Sequence, residues 1–240
     1  MRGSGESVFM RQIMAVLILA CVMLGGAAAC AADAPSQTAS GIPLDAPWKI
    51  KLYAFAQANF HHPAWGWQHS ERNYRLAMEF ARGDGLKIDT DVLFAAAMLH
   101  DMAAFPPWAL KGIEHGDRAA ETSGDVLRDA GFPMDKLPGV QAAERTHMYS
   151  MDPKTPEAIV LHDADSIDFL GAMGAVRMLA LTGESKPDAR GALKALRGFI
   201  KDIPPRLITK TAQRMGAERV DELTRFLDRV DAESYGSTAV

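Results

Sequence analysis

Cysteine is almost missing: the 240 residues hold only Cys21 and Cys30, and both fall in or beside the N-terminal apolar stretch. The folded part is therefore predicted to contain no disulfide, and thiolate-bound structural zinc is excluded. Positive charge is not in excess either. With 26 basic against 30 acidic residues and no run of Lys or Arg, the formal charge is −4. That balance offers neither the basic patch that nucleic acid requires nor a cationic membrane stripe. No β-rich segment or internal repeat stands out. What is there, 48% hydrophobic and 23% charged, suffices for one globular domain with a real core and some chain to spare.

The spare chain is N-terminal. Arg2 and Arg11 precede an apolar stretch over 13–23 and a small-residue run over 25–32, the layout of a secretory signal. A membrane anchor needs about 20 apolar residues, and here Gly and Ala take over early. Residues 1–31 are read as a cleaved leader and the protein as exported, with cut sites near 29–32. Met10 serves as an alternative start. The stretch Ala27-Ala28-Ala29-Cys30 resembles a lipobox that lacks the large aliphatic residue three before the cysteine, so membrane attachment is expected only if Cys30 is lipidated. The leader holds Arg2, Arg11 and Glu6, and its removal makes the chain one charge more acidic. Residues 32–45, rich in Ala, Pro, Ser and Thr, read as a linker, 46–235 as the domain and 236–240 as a frayed tail.

Within the domain the signals are helical. Between 67 and 81, His69, Asn73, Leu76 and Phe80 share one face. Thr90 is expected to cap a central helix containing the unbroken apolar run 92–99, which Pro106-Pro107 forbids from continuing. A loop then runs through Lys111 to His115. Ala119, Ala120, Val126, Leu127 and Ala130 mark an amphipathic helix stopped by Gly131. Pro138 starts another, with Val140, Ala143 and His147 facing inward. Thr155-Pro156-Glu157 starts the next, on which Ala158, Leu161, Asp165 and Phe169 form a stripe. Segments 193–200 and 220–230 read as two outer helices.

His69, His100–Asp101, His147 and Asp165 all interrupt segments that otherwise read as buried helix. Burying such groups unpaired costs several kcal/mol each, and one divalent cation satisfies them together. A mixed imidazole and carboxylate shell suits manganese, iron or magnesium. Such a cation acidifies water and offsets charge on phosphoryl oxygens, the two effects that phosphate ester hydrolysis needs.

The segment His69-Ser70-Glu71-Arg72-Asn73-Tyr74, the helix end Leu99-His100-Asp101, the loop His115-Gly116, Arg145-Thr146-His147 and the string Asp163-Ala164-Asp165-Ser166-Ile167-Asp168 resemble the HD-domain superfamily of metal-dependent phosphohydrolases, in its small stand-alone bacterial branch, over roughly residues 46–182. The resemblance implies an all-α helical bundle of roughly seven to nine helices. Its metal ligands would be His69, His100, Asp101 and Asp165, with Asp163 as the alternative that periodicity leaves open. His115 and His147 would hold a second metal, with Asp101 bridging, or the substrate phosphate. Arg72 presents paired donors to phosphate, and Arg177 and Lys111 are candidates of the same kind. Asp101 and His115 are the expected catalytic residues, with Glu114 or His115 protonating the leaving oxygen.

The same resemblance implies one or two divalent ions and hydrolysis of a small-molecule phosphate ester or anhydride, by default a nucleotide. The oligomeric state is not legible. The superfamily also contains di-iron oxygenases and cyanamide hydratases, and the stretch His69-Ser70-x-Arg72-x-Tyr74 is not unlike the latter. A non-catalytic metal or ligand-binding module is the third reading. The second HD dipeptide, His162–Asp163, matches no ligand position in the family and is read as structural. His61 and His62 are read as loop residues.

Overall fold

A computed structural model describes residues 35–184, 188–235 and Ser237; the leader reading therefore lies outside the described residues, as does all of the expected tail except Ser237. Among the described residues nine α-helices succeed one another in order: α1 (Pro47–Asn59), α2 (Trp67–Gly83), α3 (Thr90–Leu99), α4 (His115–Ala130), α5 (Leu137–Arg145), α6 (Pro156–Asp168), α7 (Gly171–Ala180), α8 (Ala189–Asp202) and α9 (Lys210–Glu233). The only extended pairing among them is the isolated antiparallel bridge between Gln37 and Pro43. No described helix is long and apolar enough to cross a membrane. The expected all-α fold is the observed one.

Local chemistry sets most of the boundaries. Thr155 caps α6 by accepting from the Ala158 N–H, with Pro156 in the first turn where no amide partner is needed. Gly131 ends α4 in the left-handed conformation at φ 90°, which only glycine adopts without strain. The cap of α3 is Asp89 rather than Thr90: its carboxylate accepts from the Asp91 and Val92 N–H groups, and Thr90 becomes the first helical residue.

The apolar run forecast as central is so. Val92 to Leu99 are all buried in α3, which packs against α1, α2, α5 and α6, while α2 and α6 lie along one another. Trp48 of α1 packs edge-on against both Phe94 and Phe132, and Phe55, Phe60, Phe105 and Trp108 form a second aromatic group. The helices α7, α8 and α9 pack on one another, and α9 also covers α2 and α6.

Three further sequence readings are corrected. The stretch read as a linker belongs to the fold from Ser36 onward: Thr38, Ile42 and Leu44 are buried. The Glu71 carboxylate accepts from Thr38 Oγ1, the Ser40 N–H and Tyr53 Oη at 2.7–3.0 Å. Composition hid this, because the hook is held by two aliphatic residues and by side chains distant in sequence, Glu71, Tyr53 and Arg75. Secondly, α5 stops at Arg145, so His147 lies in the turn beyond the helix. Thirdly, His115 is the first residue of α4 rather than part of the loop, because Glu114 caps that helix by accepting from the Gly116 and Asp117 N–H groups.

Candidate metal centre

Five segments bring imidazole and carboxylate groups together. His69 sits in the first turn of α2, and Asp165 and Asp168 in the last turns of α6 packed beside it. The chain leaves α3 at Leu99, passes His100 in helical conformation and turns at Asp101 (φ −97°, ψ 7°) into a short 3₁₀ turn, Met102–Ala104. His115 starts α4, and His147 lies just past the end of α5.

Asp101 is the hinge of the arrangement. Its Oδ2 lies 3.4 Å from His100 Nε2 and 3.5 Å from His69 Nε2, while its Oδ1 lies 3.4 Å from His115 Nε2 and 3.7 Å from His147 Nε2. The donors thus form two nests, His69–His100–Asp101 and Asp101–His115–His147, each with its ligand atoms within 4.8 Å of one another. Asp165 adjoins the first nest, its Oδ1 3.1 Å from His69 Nε2. Asp163 does not face the nests: it accepts from the Ile208 and Thr209 N–H groups and from Thr209 Oγ1.

The outer nitrogens show whether these side chains fit a cation. His69 Nδ1 donates to Asp168 Oδ2 (2.7 Å), His100 Nδ1 to the Ala97 carbonyl (2.9 Å) and His147 Nδ1 to the Glu144 carbonyl (2.6 Å), while His115 Nδ1 lies 2.6 Å from Glu114 Oε1 in an ion-pair contact. With the proton held outside, the Nε2 lone pairs of His69, His100 and His147 face inward. His69 and His100 Nε2 stand 3.3 Å apart, and His115 and His147 Nε2 3.0 Å apart. Lone pairs so close, beside carboxylate oxygens, repel unless a proton or cation lies between them. The set fits a divalent cation that takes nitrogen and oxygen ligands.

The field in the site agrees. Burial lowers the basicity of His100, yet the attraction of Asp101 and Asp165 outweighs it and lifts the pKa to about 9. Burial likewise opposes ionisation of Asp101 and Asp165, but the neighbouring imidazoles hold Asp101 well below the carboxylate range and Asp165 at about 2. His147, desolvated and facing His100, falls to about 4 and stays neutral, as a ligand must. His115 is also desolvated, yet Asp101 draws its pKa up.

A chamber of about 220 Å³ opens beside the nests, with Asp101, Asp165 and His115 on one side and Trp65, Met148 and Phe169 among its apolar walls. Its cationic group is Arg177, which is fully buried. Arg177 Nε donates to the Ala64 carbonyl, and the guanidinium lies 4.2 Å from the centre of the Phe169 ring. Nη1 is 3.0 Å from Asp168 Oδ2 but misaligned for a hydrogen bond, so among the described residues that buried donor has no hydrogen-bond partner.

Sequence reasoning placed several residues differently. Arg72 spends its guanidinium on Asp168, with Nε 3.0 Å from Oδ1 and Nη2 2.9 Å from Oδ2, and lines a separate groove instead of the chamber. Lys111 is exposed on the loop before α4 and does not line the chamber. Arg177, named beside Arg72 and Lys111, does line it. Asn73 was missed: its Nδ2 lies 3.1 Å from His69 Nε2 and 3.4 Å from Asp165 Oδ1. Its position four residues after His69, on the same helical face, was the available signal. Nothing in the sequence pointed to Trp65, Met148 or Phe169 as walls.

Known proteins share the fold. Residues 66–170 match the HD domain family. A solved structure described as a predicted HD superfamily hydrolase, from an uncultured Thermotogales bacterium, is 25% identical over 77% of this chain and 90% of its own, with a TM-score of 0.55. Bacillus subtilis YpgQ, solved in complex with ADP, is 18% identical over 78% of this chain and 98% of its own, with a TM-score of 0.61. A Lactobacillus plantarum protein is 21% identical over 79% and 97%, also at 0.61. No curated protein matches the chain.

Proposed function

With residues 66–170 an HD domain, we propose that this chain is a metal-dependent phosphohydrolase acting on a phosphate ester or anhydride, with a nucleotide as the substrate class. The observation that carries the reading is Asp101, whose two carboxylate oxygens face two separate pairs of imidazoles beside a chamber that also holds Arg177 Nη1, a buried nitrogen in an ion pair with Asp168 but without a hydrogen-bond partner among the described residues.

His69, His100, Asp101 and Asp165 hold one divalent cation, and Asp101, His115 and His147 are placed to hold a second or to contact phosphate. A cation bound there supplies Lewis acidity, lowering the pKa of water and offsetting charge that grows on the phosphoryl oxygens. Asp168 fixes the His69 tautomer and ring orientation. Arg177 offers Nη1 to a phosphoryl oxygen, a charge-assisted contact in a chamber with apolar walls. His115, whose pKa Asp101 draws up against its desolvation and which lies beside Glu114, is the group proposed to give a proton to the leaving oxygen. The chamber is smaller than the several hundred Å³ that enclose a whole drug-sized ligand, so it takes the phosphate end of the substrate. Support for the nucleotide comes from the ADP in the YpgQ structure. Export of the mature protein, with or without a lipid at Cys30, is part of the same proposal.

The test is metal analysis of the purified full chain, then a turnover screen with nucleotides and an aryl phosphate against Asp101→Ala. Phosphate release that needs metal and disappears in the variant is expected. Metal content and turnover unchanged by the substitution overturn the site. Oxygen uptake by an iron-loaded sample, or cyanamide turnover, replaces the phosphohydrolase with one of the other enzyme readings. Metal binding without any turnover leaves a binding module.

A further inference from the structure

Beyond Arg72 lies a larger hollow, an open groove of about 780 Å³ lined by Arg72, Arg75, Glu79 and Arg82 of α2 and by Arg219 of α9. Four guanidiniums line it in a chain whose net charge is −4. The two carboxylates there do little to balance them. Asp168 is already shared among Arg72, Arg177 and His69, and Glu79 makes no ion pair among the described residues. Arg75 donates to the Ser40 carbonyl and Arg219 to the Ile167 carbonyl, while Arg82 has no ion-pair partner among the described residues.

Arginines elsewhere on the same surface behave differently. Arg225 pairs with Asp221, Arg229 with Glu233 and Arg197 with Asp231. Those are ordinary solvated pairs that satisfy each other. Around one concavity, Arg75, Arg82 and Arg219 make no ion pair among the described residues, and Arg75 and Arg219 are met by backbone carbonyls. Arg219 is also desolvated: burial outweighs the pull of Asp168, Glu222 and Glu79 and lowers its pKa.

We propose that this groove is a second ligand site, separate from the metal centre, that takes a phosphate-rich anion and reports its occupancy to the centre through Arg72. Guanidinium forks match paired phosphate oxygens, and the groove has the size of a small-molecule site. The link is a short relay. Arg72 clamps Asp168, and Asp168 accepts from His69 Nδ1. An anion that draws Arg72 away leaves the Asp168 charge less neutralised, strengthens its hold on the His69 proton and makes His69 Nε2 a better metal ligand. Binding in the groove is independent of the phosphohydrolase reading; the relay rests on its metal site.

The probe is trimetaphosphate, a trianion, titrated calorimetrically into full-length Asp101→Ala protein in the presence of a chelator, so that metal-centre binding is removed. One site with a Kd below about 1 mM is expected. Replacing the exposed pair Arg75→Gln and Arg82→Gln in that background weakens it roughly tenfold or more, with thermal unfolding to verify the fold. No heat at high probe concentration, or equal affinity with and without the two arginines, overturns the site. In the otherwise native chain, the probe raises manganese affinity roughly threefold or more, and Arg72→Gln abolishes that rise. Probe binding that leaves manganese affinity unmoved overturns the relay. If the native chain binds no manganese while the groove still binds the probe, the phosphohydrolase reading fails and the groove stands.

Discussion

His100–Asp101 and His162–Asp163 are the same dipeptide, both histidines are fully buried, and the two places in the fold give them opposite work. The first pair stands where α3 unwinds, so consecutive side chains reach one centre and Asp101 faces four imidazoles. The second lies within α6, where consecutive residues point about 100° apart. There Asp163 closes on its neighbour His162 and on the backbone that starts α9, through the Ile208 and Thr209 N–H groups and Thr209 Oγ1. A carboxylate that accepts several hydrogen bonds from its own chain has little left to offer a cation. One whose nearest neighbours are lone pairs has its affinity unspent.

The largest expected effect is that of Asp101→Ala, which lowers manganese affinity roughly 100-fold or more and removes turnover. Dye competition measures the affinity, phosphate release the turnover and calorimetry the stability of each variant. Asp163→Ala is expected to do the reverse, costing about 2–4 kcal/mol of stability by orphaning buried donors, with metal affinity of the folded protein unchanged. If Asp163→Ala weakens metal binding as much as Asp101→Ala does, the contrast collapses.

Saturating manganese sharpens the comparison. At a hundredfold excess over its Kd it is expected to stabilise native and Asp163→Ala proteins by about 2.7 kcal/mol, and to leave Asp101→Ala nearly unmoved in a thermal melt. Asp168→Asn comes next: it keeps the shape but alters the partner of His69 Nδ1, and manganese affinity is expected to fall roughly 10–100-fold with the ligand atoms intact. An affinity equal to native separates Asp168 from the site.

The smallest effect is at the far end of the Asp163 region. The Asp84 carboxylate accepts from the Lys210 and Thr211 N–H groups, a second anchor for the start of α9. Burial raises its pKa, but the Thr211 hydroxyl and the two amides outweigh this and hold it below the ordinary value. A depressed carboxylate stabilises the fold above its unfolded pKa and loses that contribution as pH falls through the folded one. Asp84→Ala is expected to cost about 1 kcal/mol at pH 7, with the gap narrowing below about pH 4. Urea melts that show the gap widening in acid contradict this.

Much of the site was legible because its residue types are costly to bury and stand at recognisable spacings. Asp165 against Asp163 was not legible, since every residue from Val160 to Asp168 is buried and α6 has no polar face to read. The true partner of Arg72 was equally hidden: a guanidinium one turn from His69 looks the same on paper whether it meets substrate phosphate or Asp168, 96 residues away. His147 was placed on a helix face because periodicity does not register that α5 has already ended. The hook over Ser36–Leu44 escaped because its anchors, Glu71 and Tyr53, lie on helices remote in sequence.

By itself the sequence determined seven of the nine described helices, some of their caps and stops, the buried central run and the kinds of donor available, because those depend on contacts within a few residues. The packing of α2, α3 and α6, with α4 and the turn after α5, decided which lone pairs meet, that Asp101 serves two nests and that Arg72 faces away from the chamber. Coordination geometry is fixed to a fraction of an ångström between elements far apart along the chain, and no local rule reaches that far.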